Sequence, residues 1–365
     1  METKFVTKVR RAALFAMLSV YSPIPSFAQS SVTLFGSIDN GINYVNNVGG
    51  KKLIALADGI QRANRLGFQG VEDLGSGTKA IFDLTSGFSI NNGVESPAGS
   101  MFKEAWVGLA NERYGTVTLG RQYDLMADLT KYFACLECSG YIVTNTDSDR
   151  SNGDYMSNVV KYRTPRNYDF GAAAIYAFSS TESGYTASGR TVGVQGSYAH
   201  GSFTATVAYL DINGLPFTAS TMGVPVVLGV NVTKTPSFDL TNDRILAAGA
   251  SYKIGNATID ALYSNARLQL HSIASTDQAA RFGANYLITP AALFSVMETI
   301  EHFQGQSWWT TSSGFSYFLS KQTRTYFDML YQKSSDGAVA SLRRVAGSSS
   351  TQAQLLLRVG LIHTF

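Results

Sequence analysis

The chain has 365 residues, 29 Lys+Arg against 26 Asp+Glu, two cysteines, and only 15% charged residues. A soluble surface usually carries about 25% charge. No run of 18 apolar residues follows Val20, which excludes a transmembrane helix beyond that point.

The first residues have a tripartite layout. Lys4, Lys8, Arg10 and Arg11 precede an apolar run from Ala12 to Val20. Pro23 and Pro25 then break any helix, and Ser26-Phe27-Ala28 offers small residues before a cut. This predicts a secretory signal peptide over 1–28 and a mature domain over 29–365. Removing four basic residues and one acidic residue (Glu2) leaves 25 of each sign. The basic excess therefore belongs to the leader and gives no reason to expect nucleic-acid binding.

The mature sequence reads as strands of alternating polarity. "SVTLFGSIDNGINYV" is the first strand. Hairpins follow with turns at Asp73–Gly77, Asn111–Gly115, Pro165–Tyr168, His200–Gly201, Gly255–Asn256, Ile288–Ala291 and Leu319–Gln322. Gly, Asn, Asp and Pro stand in these turns, where tight reversals need them. Longer polar stretches lie between the hairpins, at 47–61, 89–101, 124–154, 181–189, 212–241, 268–276, 303–306 and 334–350. Seven short and eight long connections join sixteen strands.

An even strand count, short turns at one end and long loops at the other predict a transmembrane β-barrel. In hydrocarbon every backbone group must be paired, so with helices excluded only a closed barrel can span. The C-terminus agrees. Phe365, His363, Leu361, Val359, Leu357 and Leu355 form one set and Thr364, Ile362, Gly360, Arg358 and Leu356 the other. The last strand must pair with the first, its outward set facing lipid. Tyr44, Trp106, Tyr162, Trp308, Trp309 and Tyr331 are suitable members of the interfacial aromatic girdles. Two residues break the alternation. Arg121 shares a face with Val117 and Leu119 and requires the rim or a bulge; Glu104 shares a face with Trp106 and requires the outer rim.

Cys135 and Cys138 in "ACLECSG" are compatible with a loop disulfide, two thiols, or redox or metal chemistry. An exported chain with no second pair and no strand-helix-strand context favours the disulfide. No His-Glu-x-x-His, Gly-x-Ser-x-Gly or Walker loop occurs, and no metal or cofactor site is expected.

"SSVTLFGSIDNGINYVNNVGG", "NRLGFQGVEDLGSGTKAIFDLTSGF", "AWVGLANERYGTVTLGRQYD" and "VGLIHTF" together resemble a β-proteobacterial Gram-negative general porin, over essentially the whole mature chain. The resemblance implies a 16-stranded homotrimeric barrel in outer-membrane lipid that passes ions and small hydrophilic solutes. It also implies that loop 124–154 folds into the lumen as a constriction, and that Phe365 is read by the outer-membrane assembly machinery.

Loop acids Asp124, Asp128, Glu137, Asp147, Asp149 and Asp154 would then face a basic wall. Arg65, Lys103 and Lys161 match the family's basic ladder, with Arg62, Lys79, Arg121 and Arg163 as further members. Two departures, Lys103-Glu104 before "AWVGL" and only Arg358 among the closing lumen residues, make the expected anion preference mild. A substrate-specific channel on the same barrel is the alternative; an enzymatic or adhesive barrel is a third. Loop 212–241, "INGLPFTASTMGVPVVLGVNVTKTPSFDLT", is apolar for an exposed loop and needs something to pack on.

Overall fold

The computed structural model describes residues 30–95, 99–135, 145, 147–165, 169–180, 187–342, 345 and 347–365. Sixteen antiparallel strands close into one barrel. They are β1 (Ser31–Val48), β2 in two segments (Lys51–Asp58 and Arg65–Gly75), β3 (Thr78–Gly87), β4 (Glu104–Asn111) and β5 (Gly115–Tyr123). Then come β6 (Tyr155–Arg163), β7 (Phe170–Ala177), β8 (Thr191–His200), β9 (Phe203–Phe217), β10 (Phe238–Ile254) and β11 (Ala257–Leu270). The chain finishes with β12 (Ile273–Thr289), β13 (Ala292–Phe303), β14 (Gln306–Phe318), β15 (Thr323–Ser334) and β16 (Ala353–Thr364).

Each strand pairs with the next, and β16 pairs with β1 from Ser37↔Thr364 to Val45↔Leu356. The seam closes up to the last residue. Gly36 N donates to the Phe365 carbonyl (2.9 Å), and Phe365 N donates to the Gly36 carbonyl (3.1 Å). The Phe365 ring lies over Gly36, where a Cβ would stand 2.3 Å from it. Only glycine leaves room for the terminal aromatic there.

Alternation separates lipid from lumen. On β13 the outward Phe294, Val296 and Ile300 are exposed, while Ser295, Thr299 and Glu301 are buried on the inner side. Tyr162, Trp309 and Tyr331 are exposed, as expected of girdle residues. Trp308 is not one of them. It is fully buried, and its indole N–H donates to the Val339 carbonyl (3.0 Å). The break at Arg121 is a β-bulge: the β5–β6 register shifts between Gly120 and Gln122, and Gly120 has φ +129°.

Three stretches expected as long loops are strand. The 47–61 stretch is a hairpin reversing at Gly49–Gly50 (φ +57° and +91°). The 268–276 stretch reverses at His271 and the 303–306 stretch at Gln304–Gly305. The last two are polar around their reversals, whereas Lys51–Asp58 holds a run of consecutive apolar residues, with Ile54 and Leu56 exposed, that shows no clear period of two.

Loop 212–241 begins as β9 and ends as β10. Between them a short 3-10 turn (Ala219–Thr221) and a two-residue strand pair bury Met222, Val227, Leu228 and Val232. Val339 N donates to the Gly223 carbonyl, and the Ser341 hydroxyl to the Thr221 carbonyl. This apolar loop therefore packs on 334–350 at the loop end of the barrel.

β2 is interrupted because residues 59–64 fold inward at the seam. Asp39 on β1 organises them. Its carboxylate accepts from Gln61 N (2.7 Å) and Arg62 N (3.0 Å), and its own N–H donates to the Asn64 amide oxygen (2.6 Å). Arg358 on β16 reaches the same carboxylate (3.3 Å), the Tyr326 hydroxyl (2.7 Å), the Asn43 amide oxygen (2.8 Å) and the Ala57 carbonyl (3.0 Å). Asp39 and Arg358 are both fully buried. Arg358→Met leaves the Asp39 charge uncompensated and should cost about 3–5 kcal/mol. The urea unfolding midpoint measures this, and adding Asp39→Asn should recover part of the loss.

Candidate pore constriction

The constriction is built from loop 124–154, which leaves β5 at Tyr123. The Asp124 carboxylate accepts from Met126 N (3.0 Å) and Ala127 N (3.3 Å), turning the chain into a 3-10 helix over Met126–Tyr132. The apolar residues Leu125, Met126, Leu129, Tyr132 and Phe133 are all buried. They pack across the barrel against β9–β12. The Tyr132 hydroxyl meets the Thr206 hydroxyl (2.8 Å), and its ring covers Gly249, where a Cβ would stand 2.3 Å away. The guanidinium of Arg281 on β12 sits 5.4 Å from the Phe133 ring centre. Cys135 is buried and disulfide-bonded; Cys138 and Glu137 lie outside the described residues.

The returning half is pinned to the same wall by polar groups. Asn145 N donates to Glu301 (3.1 and 3.2 Å), and the Gln332 amide donates to the Asn145 side chain (3.1 Å). Ser148 donates to Asp277, and Ser264 donates to Asp149. Asp149 pairs with Arg281 (2.8 Å), both without solvent exposure to speak of. Arg150 then ties the two ends of the loop together, pairing with Asp124 (2.8 Å) and Asp154 (3.2 Å).

Two of the expected eyelet acids are therefore not on the open side. Asp124 and Asp149 are 0% and 1% exposed and face the guanidinium groups of Arg150 and Arg281. Burial lifts Asp124 above the usual carboxylate range despite Arg150. Burial alone would lift Asp149 too, but Arg281 and the Ser264 hydroxyl hold it below that range. Asp128 is half-buried and pairs with Arg163 (2.6 Å), which overcomes its desolvation and lowers it likewise. Asp147 has φ +57° near the loop's return.

The loop occupies the β9–β13 side, so the opening lies against β1–β6. Arg65 (β2) and Lys161 (β6) are electrostatic neighbours of Glu104 (β4). The Lys161 ammonium donates to the Tyr123 carbonyl, and Lys103, just before β4, is 9% exposed. Glu104 is not at the outer rim. It pairs across the sheet with Thr85, and Trp106, whose indole donates to Glu104 (3.2 Å), pairs with buried Asp83. Val107 and Leu109 are the exposed set on this strand. Trp106 and Glu104 are thus lumen residues, and Trp106 is not a girdle residue. The sequence signal was the Val107/Leu109 pair, which fixes the opposite parity.

The other bases are spread out. Arg121 bonds Ser157 (2.8 Å) over the Tyr155 ring beside the bulge, and Lys79 is exposed opposite Asp73 by a short turn. Arg62 lines a cavity with residues of the β14–β15 turn.

The Asp149–Arg281 pair makes a testable demand. A carboxylate held low in the folded state stabilises above its unfolded value of about 3.9. That contribution disappears as pH falls through the depressed folded value. The clamp should therefore hold at neutral pH and loosen only in strong acid. Asp149→Asn should loosen it at pH 7, giving larger and noisier single-channel currents in a planar bilayer.

A model of the family described as Gram-negative porin matches residues 12–337. Outer membrane porin protein 32 of Delftia acidovorans is 27% identical over 97% of this chain and 100% of its own length. An outer membrane porin of Bordetella pertussis is 35% identical over 42% of this chain and 44% of its own length. Among solved structures, an anion-selective porin from Comamonas acidovorans superposes with a TM-score of 0.77 at 24% identity, covering 92% of this chain and 100% of that one. The trimer form of OmpT from Vibrio cholerae gives 0.66 at 14% identity, covering 92% and 99%. The closed barrel, the loop lodged in its lumen and these matches together place the chain in the Gram-negative porin family, as an outer-membrane porin.

Proposed function

We propose that this porin is a homotrimeric general diffusion channel for ions and small hydrophilic solutes, with a mild preference for anions and no catalytic role. The observation that carries the preference is how the charges are partitioned. Asp124 and Asp149 are buried in ion pairs on the loop side. Arg65, Lys161 and Lys103 stand on the opposite wall, with two carboxylates among them, Glu104 and the buried Asp83. Arg163 is balanced by Asp128. Fixed charge of one sign at a narrow place sets ion selectivity without any covalent chemistry. Residues 1–28 serve as the export leader in this reading, and Phe365 as the mark for the assembly machinery. A substrate-specific channel is the second reading, supported by Trp106 and Tyr123 beside the charged groups; a flux that saturates with one solute would establish it.

The test is the reversal potential of purified protein in a planar bilayer under a potassium chloride gradient. The expected sign is anionic, with current steps in groups of three. Arg65→Ala and Lys161→Ala should each shrink the potential, and Glu104→Gln should enlarge it. A cationic sign in the wild-type protein sinks the basic-wall assignment.

A further inference from the structure

The outer wall over β8–β12 carries three features in line, from the loop end towards the turn end. The first is a pair of arginines. Arg244 on β10 and Arg267 on β11 stand directly opposite each other across the sheet. Both are exposed on the outward face, and their chain neighbours Ile245, Ala266 and Leu268 are buried on the inward one. Like charges directly opposite in a sheet are destabilising. The next residue in this row, Asp211 on β9, divides its carboxylate between Arg190 (3.0 Å) and Arg244 (3.5 Å). Arg267 donates to the Gln269 amide oxygen (3.0 Å) and has no carboxylate partner among the described residues.

The second feature is Asn265, the next outward position below Arg267, paired with exposed Leu246. Its side chain has no hydrogen-bond partner among the described residues, and an amide on a lipid-facing wall needs one. The third is an apolar groove of about 700 Å³ over the rows below. Ala248, Ala250, Ala261 and Ala280 form its floor, and the rings of Tyr198, Tyr263 and Phe282 stand along it. The depth of these features follows from the girdles. Arg244 to exposed Tyr252 on β10 is the same length of strand as Trp309 to exposed Tyr317 on β14. That length is about 26 Å at 3.3 Å per residue, or about 20 Å along the axis at a tilt near 40°, against an apolar band about 25 Å tall. The arginine pair therefore stands at the headgroup level of the loop end, and the groove lies within the hydrocarbon.

We propose that this wall binds one phosphorylated acyl lipid from the leaflet at the loop end, with its phosphate on Arg244 and Arg267, an ester carbonyl on the Asn265 amide and one acyl chain in the groove. Guanidinium groups match phosphate oxygens in a bidentate fork, and a phosphate between the two replaces their repulsion by attraction. Asn265 stands about 7 Å below the arginine row and the upper row of the groove about 13 Å below it, at 3.3 Å per residue. Anion, ester and hydrocarbon follow in that order along such a lipid. The site lies outside the lumen and does not depend on the anion preference proposed above.

Native mass spectrometry of the purified porin, released from nanodiscs of mixed phosphatidylglycerol and phosphatidylcholine with identical acyl chains, tests this. The wild-type protein should retain phosphatidylglycerol in preference to phosphatidylcholine, one molecule per subunit. Arg267→Gln strands no carboxylate, so the barrel should keep its heat-modifiable migration. It should weaken phosphatidylglycerol retention about tenfold, the loss of one charge-assisted contact. Ala250→Trp fills the groove from the lipid side and should lower retention while leaving the reversal potential unchanged. Equal retention of the two lipids by folded wild-type protein overturns the proposal. So does phosphatidylglycerol retention that survives both substitutions. An Ala250→Trp variant that separates into single chains with its lipid still bound overturns it too, because this wall would then be a contact between copies.

Discussion

Hydrocarbon offers no partner to a backbone N–H or carbonyl, and the rest of this structure follows from that. A sheet in lipid can have no open edge, so β16 must find β1. The chain secures this contact at two depths. On the lipid side the terminal Phe365 lies over Gly36, locked by two backbone hydrogen bonds. On the lumen side Asp39 and Arg358 join the first and last strands through a buried ion pair with Tyr326 and Asn43 around it. The inward fold at 59–64 shows the same rule from the other direction. Strand 2 leaves the sheet only where the Asp39 carboxylate and the Asn64 amide recapture the groups that it frees.

Closure creates a lumen, and the lumen has to be partly filled. The loop over 124–154 does this with two different chemistries. Its first half is an apolar helix packed on glycine-opened wall at Gly249. Its second half is a polar strip clamped by Asp149–Arg281 and Arg150–Asp124. A buried ion pair adds little net stability, but breaking one is costly. Such pairs therefore act as registration devices here, fixing where the loop sits and hence where the opening is.

Much of this was legible in the sequence. The sixteen strands, the closing role of Phe365 and the lodged loop follow from period-two alternation, turn residues and the family likeness. Parity left Arg121 either the rim or a bulge, and the β5–β6 register shift is the bulge. The failures have physical causes. The polar reversals at 268–276 and 303–306 interrupt the alternation, and in 47–61 the consecutive apolar residues Leu53 to Ala57 hide a period of two, so these stretches lost their strand signature. Trp106 was given to the lipid because it is large and apolar, yet the indole N–H makes it a good lumen residue once Glu104 accepts it. The apolar loop over 212–241 gave no hint of its partner, because loop-on-loop packing has no periodicity to read.

The loop acids are the most instructive case. In the sequence Asp124, Asp128, Asp149 and Asp154 are equivalent, and the mature chain is formally neutral with 25 charges of each sign. Folding separates them. A guanidinium on the wall or in the loop takes Asp124, Asp149 and Asp128, while Arg65 and Lys161 keep the company of Glu104 and Asp83. The field felt by a passing ion thus depends on which member of each pair has been taken out of the lumen. Composition fixes the total charge, and three-dimensional pairing fixes how much of each sign a solute meets. In the reading proposed above, this is how a neutral chain presents a basic passage.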